Sequence, residues 1–392
     1  MPVKELSVGL CDGKINYHGV RQLVIKHVQR VNSESTPGYP LRHVCNNNAK
    51  VLLSPEWANV VIDCAVYRLL VLLSADQETL DQFSNDPRTA VRCGMADPIV
   101  VFNKNKPHPA RKLAEKRFRI INARSLIDQV VIKTLMDDYC DLMVQSFPGV
   151  PTLMGMGTSD EQTECIGKVY EANCALYGVA RSSDVSKWDG SFPVHGAMSG
   201  VRVLNSQFEV PGGKSKDSWK RALEAYSLMM CNPLYVLPDG QLLYKHSRGQ
   251  MPSGDYLTTI FNSICRRVLA KLAGSDQEMN LGDDCIEWSK CDNATERYAE
   301  MGVNIRDVKY HGPSEFEFCS HHYRKENGKW TASLISWIKM VYASLIKKPS
   351  LDVLMGTGYE MRHNPVEDKL KWMSVNLSRL VETPVPAAGQ KN

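Results

Sequence analysis

The sequence predicts a mixed α+β chain built as two or three lobes, and three observations support this. Helix-length patterns run from about residue 50 through 85, over 126–145, over 160–178 and over 330–380. Shorter strand-like runs stand at 97–102, 177–186, 285–288 and 315–320. The 392 residues are 43% hydrophobic and 23% charged, enough to bury a large core and too many for one small domain. No internal repeat organises them.

The net charge of +4 is only mildly basic, so nucleic-acid binding would have to come from local clusters. The twelve cysteines scatter without a C-x-x-C pair, which predicts reduced, mostly buried thiols in a cytosolic compartment. The start, MPVKELSVGL, lacks a basic segment followed by an apolar run, so no signal peptide is expected.

Residues 1–50 read as loop-rich, with a Gly/Pro turn in STPGYP at 35–40. VVIDCAVYRLLVLL at 60–73 is apolar, but Asp63 and Arg68 interrupt it and it is too short to span a bilayer; a core helix is expected. DPIVVF at 97–102 reads as a strand. NKNKPHPARKLAEKRFRIINARS at 103–125 then holds the densest basic cluster, with Phe118, Ile120 and Ile121 among the charges as in a channel-lining strand rather than a merely solvated face. Helices follow at 126–145 and 160–178. GMGTSDE at 155–161 lacks the preceding strand and third glycine of a dinucleotide loop and reads as a plain loop.

YGVARSSDVS at 177–186 reads as a strand that carries Asp184 near its end. Asp189 follows five residues later, where Gly190 and Pro193 argue against a helix, so both carboxylates can point into one cleft. Further on, LGDDCIEW at 281–288 sets Asp283 beside Asp284. Alone, Gly-Asp-Asp is a surface turn. In an apolar setting, two adjacent like charges are costly unless cations offset them. If the Asp184 strand lies beside a hairpin presenting Asp283, the carboxylates can bridge two divalent ions, and hard oxygen donors without His or Cys select Mg²⁺ or Mn²⁺ over Zn²⁺.

Between these stretches, MPSGDYLTTIFNSI at 251–264 has the spacing S-G-x3-T-x3-N through Ser253, Gly254, Thr258 and Asn262. The plain structural reading is a Ser-Gly turn capping an amphipathic helix, and it puts Thr258 and Asn262 on one face at i, i+4, aimed at the cleft. EFEFCS at 315–320 reads as a strand. Cys319, His321 and His322 invite a zinc site, but adjacent strand histidines point to opposite faces. Residues 330–380 read as helical and TPVPAAGQKN as a frayed tail.

The ordered set SSDVSKWD, SGDYLTTIFN and LGDD resembles motifs A, B and C of the palm of viral RNA-dependent RNA polymerases. NKNKPHPARKLAEKRFRIINARSLIDQVV is similar to motif F, STPGYP to motif G, YAEMGVNIRDVKYHG to motif D and EFEFCSHHY to motif E. The K-x-x-P-H run, SLIDQVV and FCS most resemble the sobemovirus and polerovirus group of positive-strand RNA viruses.

The resemblance implies a right-hand polymerase with an antiparallel palm sheet. Fingers would take 1–125, including a template-guiding loop at 35–40 and a basic nucleotide channel at 103–125. The palm would take 126–323, with finger insertions near 150–177 and 206–248, the thumb 324–380, and a flexible tail 381–392. The implied reaction is template-directed nucleotidyl transfer from NTPs to an RNA 3′-hydroxyl by two metal ions.

Asp184 and Asp283 would be the principal ligands of two Mg²⁺ ions, with Mn²⁺ as a substitute and Asp284 as an auxiliary ligand. Asp189 with Asn262 would sense the ribose 2′-hydroxyl, supported by Ser253, Gly254 and Thr258. Arg119, Lys104 and Lys112 would bind the triphosphate. Lys309 would protonate the leaving pyrophosphate, with Arg306 close enough to compete.

Implied partners are the RNA template, the nascent strand and NTPs, with other viral replication proteins, a protein primer among them, as further candidates. The implied location is the host cytoplasm, at membrane-associated replication complexes reached through partners, since no anchor is expected here. The chain departs from the family pattern at Lys106, where many relatives are acidic, at Gly190, where an aromatic is common, and at Lys187, where the nearest group has glycine. These bear on subgroup and pocket shape, not on the metal ligands.

Two alternatives share the palm. A reverse transcriptase usually carries an aromatic-x-Asp-Asp hairpin and a bulky residue against the 2′-hydroxyl, whereas Leu281-Gly282 and Asp189/Asn262 favour ribonucleotides. A non-catalytic RNA-binding protein would be expected to have lost a metal ligand.

Overall fold

A computed structural model describes residues 10–11, 14–103, 110–116, 118, 120–207, 214–246, 249–289, 293–346 and 350–381. Its centre is a four-stranded antiparallel sheet in the order Ile305–His311, Ala180–Val185, Asp284–Trp288, Gln277–Leu281. Strand alternation sends Ala180, Ser182 and Asp184 to one face and Arg181, Ser183 and Val185 to the other.

The two faces are covered differently. On the first, Ala180, Met279, Ile286 and Trp288 pack with Ile166 and Tyr170 of the Asp160–Tyr177 helix and with Phe316, Tyr323 and Trp330. Tyr170 and Phe316 stack with ring centroids 4.0 Å apart. On the second lie the Thr258–Leu272 and Ala294–Glu300 helices, whose Phe261, Ile264, Leu269 and Tyr298 belong to the larger core. The helix at 160–177, expected among the finger insertions, thus packs directly on the central sheet.

Residues 330–380 are not wholly helical. Glu315–Phe318, His321–Glu326 and Lys329–Leu334 form a three-stranded antiparallel meander, and helices begin only at Trp337. The last strand buries Trp330, Ala332 and Leu334 and turns the residues between them outward, a period of two that a helical assignment passes over.

The first fifty residues also hold more structure than expected. The Tyr17–Val28 helix is capped by Asn16 and buries Val20, Leu23, Val24 and Val28 at helical spacing. Residues 188–191 likewise form a helical turn despite Gly190, because a single turn closed by Ser191 N–H on Lys187 O (2.9 Å) needs little propensity and stops before Pro193.

The apolar stretch near residue 60 lies in a 20-residue helix, Pro55–Ser74, which by length and composition could cross a membrane. Its inner face packs against the Tyr17–Val28, Leu126–Gln145 and Lys214–Met230 helices. Arg68, 4% exposed, pairs there with Asp128 (2.6 Å) and Asp97 (3.0 Å). A buried, doubly paired arginine marks that face as protein interior, as expected of a core helix.

A further sheet joins distant parts of the chain in the order Ile120–Ala123, Ile99–Asn103, Tyr235–Val236, Leu242–Leu243. It brings the described end of the basic segment beside residues 251–257, where Asn122 N–H donates to Ser253 O (3.2 Å). All cysteines among the described residues whose side chains are placed are free thiols.

Candidate active site

Two strands and a turn bring the sequence-predicted carboxylates together. Ser182 pairs with Ile286. Two residues further along each antiparallel strand, Asp184 and Asp284 therefore stand opposite each other on one face. Leu281 pairs with Asp284, leaving Gly282 and Asp283 as the two-residue turn. Gly282 has φ +65°, a left-handed value that glycine adopts without steric cost, and its N–H donates to Ser263 Oγ of the neighbouring helix (2.8 Å).

Asp184, Asp284, Asp307, Lys309, Glu317 and Cys319 line an open cleft of about 520 Å³, and Asp283 stands exposed at the turn. Burial, then the charges of Asp283 and Asp184, push the Asp284 carboxyl up to about 6. Cys319 hydrogen-bonds Asp284, and burial holds its thiol well above the usual range. Among the described residues no three His, Cys, Asp or Glu side chains are gathered closely enough to hold an ion between them. The carboxylates converge without closing a cage. Their chemistry nevertheless fits a divalent cation: the donors are hard oxygens, and mutual repulsion already disfavours full ionisation in the absence of positive charge.

The edge strand Ile305–His311 supplies the cationic side of the cleft. Its register breaks between Arg306 and Lys309, with Asp307 at φ +52°. Arg306 comes within 3.7 Å of Asp184. Lys309 is paired with Glu317, whose carboxyl that contact holds below its usual range. Lys309 therefore faces the meander and Arg306 the carboxylates.

Asp189 and Ser253 also meet. Ser253 Oγ donates to the exposed Asp189 carboxylate, and Met251 N–H to Asp189 O (2.8 Å). Lys245 Nζ donates to Gly190 O (2.7 Å) and Gly249 O (2.9 Å), holding the helical turn that carries Asp189. Ser253 is thus no helix cap; the helix begins at Thr258, whose hydroxyl donates to Pro252 O (3.1 Å). Asn262 is 4% exposed and its Oδ1 has no partner. It faces inward, so the structure joins Asp189 to Ser253 but not to Asn262. Lys187 has φ +55°, a left-handed value that glycine adopts more easily than lysine.

Lys104, Lys106 and Arg119 lie outside the described residues, as does the side chain of Lys112, which sits in the Ala110–Ala114 helix. His321 and His322 diverge: His321 bonds Cys319 O (3.0 Å), and His322 approaches Glu315 (3.4 Å).

Sequence reasoning missed a charged network beneath the carboxylates. Glu287, 1% exposed, accepts from Arg181 Nη2 (2.7 Å), Arg266 Nη2 (2.9 Å) and Tyr298 OH (2.8 Å). Arg266 also donates to Ser183 Oγ (2.8 Å), the residue before Asp184. The available signal was periodic: Arg181 and Glu287 occupy inward strand positions, and Arg266 shares a helix stripe with Asn262 and Leu269.

A family model described as viral RNA-directed RNA polymerase matches residues 15–166 and 221–337. The replicase polyprotein P2AB of Southern bean mosaic virus is 32% identical over 343 residues, covering 84% of this chain and 34% of the polyprotein. The RNA-directed RNA polymerase of mushroom bacilliform virus is 27% identical over 346 residues, covering 85% of this chain and 78% of that protein. This chain spans about a third of the length of the P2AB polyproteins it matches. Among solved structures, the Sicinivirus 3Dpol RNA dependent RNA polymerase aligns with a TM-score of 0.62 at 13% identity, over 93% of this chain and 80% of that one, a likeness of fold.

Proposed function

The chain belongs to the viral RNA-directed RNA polymerase family, and we propose that it transfers nucleotides from ribonucleoside triphosphates to an RNA 3′-hydroxyl under the direction of an RNA template. The observation that carries this is the convergence of Asp184 and Asp284 on one face, with Asp283 at the adjoining turn and the Asp284 carboxyl pushed up to about 6 by burial and then by the charges of Asp283 and Asp184. Such a set suits Mg²⁺ or Mn²⁺, held by Asp184 and Asp283 with Asp284 assisting. Two bound cations would supply the charge that stabilises the attacking and leaving oxygens of phosphoryl transfer.

The chain's own residues do the rest. Asp189, fixed by Ser253, offers a carboxylate to the ribose 2′-hydroxyl, the handle that separates NTP from dNTP. Asn262, buried with an unpartnered Oδ1, joins the network when the sugar is seated. Lys309, paired with Glu317 at the cleft, delivers a proton to the leaving pyrophosphate, while Arg306 screens Asp184 until substrate replaces it. The basic segment at 103–125, through Lys104, Lys112 and Arg119, guides the triphosphate and the RNA backbone.

Labelled NTP or dNTP supplied with a primed RNA template and Mg²⁺ tests the proposal. NTP should be incorporated at least roughly tenfold more efficiently than dNTP, because dNTP leaves polar groups unpaired. Efficient dNTP use would indicate a reverse transcriptase. RNA binding without any incorporation would indicate a non-catalytic binding protein.

A further inference from the structure

The loop from which Ser253 reaches Asp189 rests on a strand from another part of the chain. Asn122 N–H donates to Ser253 O (3.2 Å). Gly254 has φ +109°, and a Cβ there would fall 2.8 Å from Asn122 O, so loop and strand touch backbone to backbone. The residues immediately beyond this contact are Asp255 on the loop and Arg124 at the strand end, and they form an ion pair with side chains 1% and 3% exposed. Arg124 Nη2 also donates to Met230 O (3.1 Å), and Asp255 accepts Leu257 N–H (3.1 Å) at the start of the Thr258–Leu272 helix.

The pair is buried and lines no part of the carboxylate cleft. A fully buried ion pair contributes little net stability, since desolvation offsets attraction, but it resists displacement because moving either charge leaves the other unpaired. At this position the thing held fixed is the distance from Ser253 to Asp189.

Given the polymerase activity proposed above, we propose that the Arg124–Asp255 pair is a positioning device for sugar selection: it locks the Ser253 loop to the Ile120–Ala123 strand so that Ser253 holds Asp189 in the orientation that accepts a ribose 2′-hydroxyl. Neither residue touches substrate. Their effect passes through Ser253, and it ties the strand that ends the nucleotide channel to the loop that reads the sugar.

Arg124→Lys keeps the charge but loses the planar fork. Measured by primer extension on RNA with each NTP and dNTP, the variant should show KM for NTP raised about tenfold with kcat nearly unchanged, and dNTP efficiency little altered, so that the ratio falls about tenfold. Added to Ser253→Ala, it should lower the ratio no further, since both act through one contact. Parallel loss of NTP and dNTP efficiency, an unchanged ratio, or additive effects in the double variant would overturn the proposal. If thermal melting shows that Arg124→Lys does not fold, Asp255→Asn is read in the same assay; failure of both to fold makes the pair a fold determinant and overturns the proposal as well. A wild-type protein that incorporates no nucleotide removes the polymerase reading itself, an outcome distinct from parallel loss in an active enzyme.

Discussion

Asp284 stands opposite Asp184 and next to Asp283, and burial with those two charges raises its carboxyl from the usual carboxylate range to about 6. The linkage has a definite sign. The folded chain holds this proton more tightly than the unfolded one, so the contribution to stability is present at low pH and is lost as pH rises from about 4 to about 6. A cation competes with the same proton. The rise in Tm produced by millimolar Mg²⁺ should therefore be small at pH 5, grow through pH 6 and level off near pH 7, and the growth should be blunted in Asp284→Asn. Equal Mg²⁺ shifts at pH 5 and 7 would show that Asp284 does not face the cation. The meeting of single residues was legible where local pattern constrains it: a strand carrying Asp184 and a Gly-Asp-Asp turn carrying Asp283 and Asp284 do come together. Asn262 was legible as a motif member but not in its orientation, because i, i+4 spacing selects a helix face without saying which way that face turns.

The central hairpin gives the matching lesson for elements. Its turn is written in Gly282-Asp283 and its strands in the apolar residues around it, so the hairpin could be read from sequence. The support beneath could not, because Arg181, Glu287 and Arg266 come from two strands and a helix far apart in the chain and look, one at a time, like surface charges. Glu287→Gln keeps the shape but leaves two buried guanidinium groups without their counter-charge. It should destabilise the protein by about 3–5 kcal/mol, read by urea or thermal unfolding. A loss under about 1 kcal/mol, the range of exposed pairs, would mean that the network is solvated in solution. The Lys329–Leu334 strand was missed for a related reason: its alternation spans only six residues, and helical sequence follows almost at once.

At the scale of the whole molecule, the fold is that of a right-hand polymerase with an antiparallel palm sheet, shared at only 13% identity with a picture of the same architecture in a Sicinivirus enzyme. In this chain one sheet carries Asp184 and the Asp283–Asp284 turn, with helices beneath it and a meander against its other face. The order of the motifs along the chain agrees with that arrangement, with Asp184 on a strand, Asp283 at a turn and Thr258 at the start of a helix. The contacts between elements, including Arg124 with Asp255, depend on which surfaces meet and are not encoded in any single stretch. In the proposed reaction the converging carboxylates drive nucleotide transfer while other residues hold RNA. The most direct test measures NTP incorporation and RNA binding side by side for the wild type, Asp184→Ala and Asp283→Ala. Each variant should lose at least about a hundredfold in Mg²⁺-dependent incorporation while RNA affinity stays within about threefold, since in the proposed reaction basic groups and not carboxylates hold the backbone. Incorporation above about a tenth of wild type in both variants, or RNA affinity lost in step with activity, would contradict it.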